Sequence, residues 1–122
     1  MSKKILIVDD EPDLTMLVRL NLEPTYEVRE ENTATKALEA ARDFRPDLIL
    51  LDVMMPDMEG GDIAAAIDAD PRLRHTPIIF LTATILREEM DRPVDFIGGR
   101  PFMAKPIDME ALTATIEKVL AA

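Results

Sequence analysis

Leu48-Ile49-Leu50-Leu51-Asp52-Val53-Met54-Met55-Pro56-Asp57-Met58-Glu59-Gly60 is the stretch on which the fold turns. Its large aliphatics run without interruption into a carboxylate and then into a loop bounded by proline and glycine. An unbroken apolar run reads as a strand buried on both faces, which is the habit of parallel sheets. Asp52 stands where that strand leaves the core. Ligands of open α/β sheets bind in the crevice outside the carboxyl ends of the strands, so a carboxylate at this point is placed for chemistry rather than packing.

The same pattern opens the chain. Ile5-Leu6-Ile7-Val8 ends on Asp9 and Asp10, and Glu11-Pro12 begins the next segment. Pro12 suits the first turn of a helix; Leu14, Leu17, Val18 and Leu22 then recur at helical spacing until Pro24. Tyr26 and Val28 alternate with Glu27, Arg29 and Glu31, which predicts a short edge strand whose charges discourage pairing with other chains. Asn32 or Thr33 is positioned to cap a second helix, with Ala34, Ala37, Leu38 and Ala41 as its apolar stripe and Pro46 closing the connection.

Beyond the Asp52 loop, Ile63, Ala66 and Ile67 predict a third helix ending near Asp70-Pro71. Pro77-Ile78-Ile79-Phe80-Leu81 is another fully apolar strand, running into Thr82-Ala83-Thr84. Residues Ile85 to Asp91 predict a short or kinked fourth helix, because Pro93 would break a longer one and Gly98-Gly99 marks a turn. Arg100-Pro101-Phe102-Met103-Ala104 reads as the last strand, with Pro101 tolerable near its start or on an edge, and Lys105-Pro106 at its carboxyl end. Asp108 caps a final helix that carries Glu110 in its first turn and buries Leu112, Ile116, Val119 and Leu120. Five strands alternating with five helices through right-handed crossovers make an α/β doubly wound parallel sheet, one domain over residues 1–122. Asp9, Asp10, Asp52, Thr82 and Lys105 each follow a strand, so this fold gathers them at one edge.

Composition narrows the chemistry. A chain of 122 residues has room for one core and no second domain. Lys and Arg number 14 against 24 Asp and Glu, a net charge of −10, which disfavours nucleic acid or an anionic membrane as the direct partner and suits divalent cations and basic surfaces. The absence of cysteine excludes disulfides, thiolate metal sites and cysteine nucleophiles. Met1-Ser2-Lys3-Lys4 precedes too short an apolar run for a signal peptide or a membrane span, so a cytoplasmic protein is expected. His75 has no second imidazole to join it, and the methionines near Asp52 do not suit a hard cation.

Taken together and in order, Ile7-Val8-Asp9-Asp10-Glu11-Pro12, Leu51-Asp52 through Gly60, Leu81-Thr82-Ala83 and Lys105-Pro106 resemble the receiver domain of two-component response regulators, over nearly the whole chain. The resemblance implies a flavodoxin-like strand order of 2-1-3-4-5. It implies that Asp52 is the phosphoacceptor, charged by a sensor histidine kinase or a phosphotransfer protein, an aspartyl phosphate being a known covalent state. It assigns Mg2+ to Asp10, Asp52 and the backbone carbonyl of Met54, with Asp9 acting through water. Lys105 would pair with the acceptor and then with a phosphoryl oxygen, and Thr82 would offer a hydroxyl to another. Thr82 and Phe102 would form the switch, Phe102 standing where tyrosine is common and so working by apolar burial without a new hydrogen bond. Met54 and Thr84 occupy positions that the family uses to tune phosphoryl lifetime, and Lys105-Pro106 is expected cis. The segment Glu88 to Arg100 departs from the alanine-rich helix and turn usual in the family. An independent argument favours the cation: carboxylates about 4 Å apart repel by about 4 kcal/mol per pair at an effective dielectric of 20.

Read singly, each residue has an ordinary explanation: helix capping for Asp9 and Asp10, a strand end for Thr82, a solvated surface for Lys105, plain core for Phe102. Their co-occurrence favours the phosphoacceptor, a signalling domain rather than an enzyme, which assists its own phosphorylation and dephosphorylation. The alternative is an interaction module of the same fold that is no longer phosphorylated. A haloacid-dehalogenase-like phosphatase needs an acid two residues after its nucleophile, where this chain has Met54, and a flavin carrier needs a hydroxyl-rich loop where it has Asp9-Asp10-Glu11. The chain ends just past the last expected helix, which leaves a stand-alone receiver or one cut from a longer regulator. The downstream protein and any phosphorylation-dependent homodimer stay open.

Overall fold

The computed structural model describes residues 2–56, 58–82, 96–97 and 100–121. Strands β1 (Lys4–Val8), β2 (Glu27–Glu31), β3 (Leu48–Asp52), β4 (Ile78–Thr82), β5 (Phe96–Ile97) and β6 (Arg100–Ala104) form one sheet in the order β2-β1-β3-β4-β6-β5. Helices α1 (Pro12–Leu22), α2 (Ala37–Phe44), α3 (Gly60–Ala69) and α4 (Met109–Ala121) are the α-helices among the described residues, and a 3-10 turn at Ala34–Lys36 leads into α2.

Two-sided burial explains the apolar runs. Along β1, β3 and β4 alternate side chains enter opposite layers. Leu6, Val8, Ile49, Leu51, Ile78 and Phe80 pack under α2 and α3, whereas Ile5, Ile7, Leu48, Leu50, Ile79 and Leu81 pack with Val18 and Leu22 of α1 and with Leu112 and Ile116 of α4. Each such side chain contributes about 1.5–3 kcal/mol on full burial, enough to fix the register of all three central strands. β2 is the outer edge strand, and only part of its surface is covered.

The five parallel strands stand in the expected order, counting β6 as the fifth. The sheet is nevertheless not purely parallel: β5 pairs antiparallel with β6, Phe96 opposite Pro101 and Ile97 opposite Arg100. A two-residue connection suffices to join antiparallel strands, whereas a parallel pair needs a long crossover. Two residues are too few to register as a strand in a hydrophobic pattern. The expected fourth helix at 85–91 and turn at Gly98-Gly99, as well as Thr84, lie outside the described residues.

Two local expectations change and two hold. Leu17 is half exposed, beside exposed Met16 and Leu20, and Thr15 takes the buried position on the face of Val18 and Leu22. Neither Asn32 nor Thr33 caps the second helix: Thr33 makes no side-chain cap, and the Asn32 amide is bonded to Asp9 and Thr15 instead. The Asp108 carboxylate does cap α4, accepting from the Glu110 and Ala111 amides at 3.0 and 3.2 Å. The Lys105–Pro106 peptide is cis. No helix among the described residues is long and apolar enough to cross a membrane.

Candidate functional site

Because β1, β3, β4 and β6 are parallel, their carboxyl ends open on one edge, and the polar residues that terminate them converge there. Asp9 and Asp10 follow β1, Asp52 and Thr82 are the last residues of β3 and β4, and Lys105 follows β6, its amide extending the ladder to the Thr82 carbonyl at 2.8 Å. Ligand atoms of Asp9, Asp10 and Asp52 all lie within 4.8 Å of one another. Asp9 is fully buried and Asp52 is 2% exposed, whereas Asp10 faces solvent.

Among the described residues, one ammonium serves this cluster. Lys105 Nζ lies 2.7 Å from Asp9 Oδ2, 3.0 Å from Glu11 Oε1 and 3.5 Å from Asp52 Oδ2. Its nearest carboxylate is thus Asp9, not the expected Asp52. Asp9 Oδ2 is held by this charge contact rather than by a well-angled hydrogen bond, while Asp9 Oδ1 accepts the Glu11 amide at 2.9 Å. The Met54 amide donates to Asp52 Oδ1 at 3.2 Å, and the exposed Met54 side chain stands at the rim. Thr82 is buried. Phe102 is half-buried, opposite Phe80 in register, and packs on the layer beneath α2 and α3.

The electrostatics follow from burial with too little positive charge. Desolvation first, and the neighbouring Asp9 second, push the Asp52 carboxyl up to about 6. Burial likewise raises Asp9 against the pull of Lys105. Burial would lower Lys105, but its contacts with Asp9 and Glu11 outweigh that and raise it. At separations below 4.8 Å each carboxylate pair repels by about 3–4 kcal/mol at an effective dielectric of 20. An oxygen-only donor set with this unbalanced charge fits a small hard cation such as Mg2+.

Three residues of this region were not expected to act in it. Glu11 belongs to the opening motif and the start of α1 but has no assigned role there, yet it shares Lys105. Thr15 could have been suspected, being a hydroxyl on the apolar face of a helix. Asn32 carried only a capping signal, because its use depends on β2 meeting the end of β1.

A family model described as the response regulator receiver domain matches residues 5–117. The chain is 34% identical over 119 residues to the DNA-binding dual master transcriptional regulator RpaA of Synechocystis, covering 96% of this chain and 48% of that protein. It is 32% identical over 121 residues to the polar-differentiation response regulator DivK of Brucella anthropi, covering 98% of both. The chain therefore spans about half of the first relative and nearly all of the second. Among solved structures, the Vibrio cholerae chemotaxis protein CheY4 superposes with a TM-score of 0.83 at 30% identity, covering 98% of this chain and 99% of that one.

Proposed function

The chain belongs to the response regulator receiver family, and from that premise we propose that Asp52 is its phosphoacceptor, with residues 1–122 acting as one receiver domain. The observation that carries the reading is the convergence of Asp9, Asp10 and Asp52 within 4.8 Å at the strand ends, with Lys105 reaching among them. Asp10, Asp52 and the Met54 carbonyl would hold Mg2+, with Asp9 acting through water. The ion would supply positive charge to phosphoryl oxygens and to the crowded carboxylates.

The transfer itself is carried by the chain's own groups. The Met54 amide fixes Asp52 through Oδ1. A carboxylate oxygen of Asp52 attacks the phosphorus of a phosphohistidine; the new O–P bond forms as the P–N bond breaks, and the imidazole leaves with its electron pair. Lys105 then turns from Asp9 toward a phosphoryl oxygen, and the Thr82 hydroxyl donates to another. Phe102 responds to the movement of Thr82 by deeper burial. The donor is a histidine kinase or phosphotransfer protein, for which the exposed apolar Met16, Leu17 and Leu20 of α1 and the cleft between Leu14, Lys105 and Ile107 offer a docking face. The output is a changed partner surface in a cytoplasmic signalling protein.

The test is intact mass after incubation with a small acyl phosphate, with Mg2+ or with chelator, on the parent and on Asp52→Asn. One added phosphoryl group is expected only for the parent with Mg2+. A parent that takes up none, or an Asp52→Asn protein that takes up as much, would overturn the assignment.

A further inference from the structure

We infer that Asn32 is a positioning residue for the acid pair: its side-chain amide holds the peptide between Asp9 and Asp10 and so aims the Asp10 carboxylate. The inference rests on the reading of Asp10 as a cation ligand.

It begins with a ladder that stops one step early. β1 and β2 pair in register up to Val8 opposite Glu31, and the Asp9 amide still reaches the Glu31 carbonyl at 3.1 Å. In a parallel ladder the next bond would run from the Thr33 amide to the Asp9 carbonyl. Thr33 does not make it, because its amide turns back to Glu31 Oε2 at 3.0 Å as the chain enters the 3-10 turn. Asn32 Nδ2 fills the missing place, donating to the Asp9 carbonyl at 2.8 Å. A side chain thus completes the last rung of the sheet at the position where the acidic pair begins.

The amide is itself held. A carbonyl only accepts, so the nitrogen and not the oxygen of Asn32 must face Asp9. The same nitrogen donates to Thr15 Oγ1 at 3.0 Å. Thr15 is fully buried and donates a hydrogen bond to Glu30 Oε1 at 2.6 Å, and Glu30 is clamped by Arg19. Both amide protons are thus engaged, and rotating the Asn32 amide breaks both bonds.

The Asp9 carbonyl belongs to the rigid peptide plane that leads into Asp10. Loosening that plane lets Asp10, the exposed member of the cluster, swing away from Asp52. Magnesium demands near-ideal octahedral geometry, so it tolerates little such movement. Partners that orient metal ligands without touching the metal are typically worth about 10–100-fold in affinity. A purely structural Asn32, one that only finishes the edge strand, would change stability and leave Mg2+ affinity alone.

Calorimetric titration with magnesium chloride separates these on the parent, Asn32→Ala, Asn32→Ser and Asp70→Asn, each with its melting temperature measured in chelator. Asp70 lies just beyond the far end of α3, about 15 Å along the helix from the Asp52 loop. Its carboxylate accepts from Arg42 and Arg72, so its loss lowers stability away from the site. Expected is Mg2+ binding weaker by about tenfold in both Asn32 variants, and unchanged in Asp70→Asn. The serine variant keeps the experiment readable should the alanine variant not fold. A change of less than about threefold in the folded Asn32 variants, or an equal loss in Asp70→Asn, would overturn the positioning role while leaving the Mg2+ site standing. A parent that binds no Mg2+ would overturn the Mg2+ site and this inference together.

Discussion

Asp52 carries its charge against its surroundings. Its carboxyl is raised to about 6 by burial and by Asp9, whereas an unfolded chain returns it to about 3.9. The folded state therefore binds the proton more tightly, and stability falls as pH rises between these two values, with the whole cost present at neutral pH. A difference of about two pKa units corresponds to on the order of 2–3 kcal/mol, and a residue 2% exposed gains little from solvent screening. Asp52→Asn removes the charge and keeps the shape. In chelator at pH 7.5 it should be more stable than the parent by about 1–3 kcal/mol in urea denaturation. A less stable Asp52→Asn would show that Lys105, 3.5 Å away, already compensates the charge. The same substitution abolishes phosphoryl acceptance in the proposed reaction, so the site residue that function needs is one that folding would discard.

At the scale of elements, the site depends on how closely α3 is set against the end of β3. A Cβ on Gly60 would lie 2.5 Å from the Asp52 carbonyl oxygen and 2.8 Å from Val53 Cα, both backbone atoms, while one on Gly61 meets nothing within 4 Å. Gly60→Ala must push the helix off the loop that carries Met54, and should cost about 1–3 kcal/mol by urea denaturation and slow phosphoryl uptake. Gly61→Ala, in the first turn of the same helix, should be neutral or stabilising by up to about 1 kcal/mol. Equal effects of the two substitutions would remove the close-approach argument. This contrast could not be read from Glu59-Gly60-Gly61, where the two glycines look alike. The central strands could be read, because β1, β3 and β4 are buried on both faces and burial writes itself as an apolar run. So could the acids and Lys105, because each ends such a run. β5 is too short to leave a pattern. The Lys105 contact with Glu11, and the bonds joining Thr15 and Asn32 to Glu30 and Asp9, arise where separate elements meet, and no local periodicity encodes which polar side chains will face each other there.

Across the whole molecule the titrating groups pull in opposite directions, and their balance predicts an unusual pH profile. Asp70 is lowered to about 2 by Arg42 and the Arg72 amide. Burial would raise Glu30, but the Thr15 hydroxyl and Arg19 together hold it below its ordinary value. Both therefore stabilise the fold above the unfolded carboxylate range and lose that contribution as pH falls toward their folded values. Asp52, raised to about 6, withdraws stability as pH climbs from about 4 toward 6, and Asp9, raised by burial, acts in the same sense. The net charge of −10 at neutral pH acts in the same sense as these two. Without metal the melting temperature should thus peak near about pH 5 and be lower at pH 7.5. Mg2+ at the proposed site would reverse the upper limb, because it would bind the ionised carboxylates and compete with protons. At a hundredfold excess over its Kd it adds about 2.7 kcal/mol, which should raise the melting temperature at pH 7.5 and scarcely at pH 5. Asp52→Asn should flatten the metal-free fall and remove most of the Mg2+ response. Sodium chloride at about 1 M, where charges are screened beyond about 3 Å, separates the two causes: it relieves repulsion among exposed acids but barely touches one buried among strand ends. A metal-free melting temperature that kept rising to pH 7.5, or a fall abolished by salt alone, would mean that the buried pair does not govern the profile and that surface charge does.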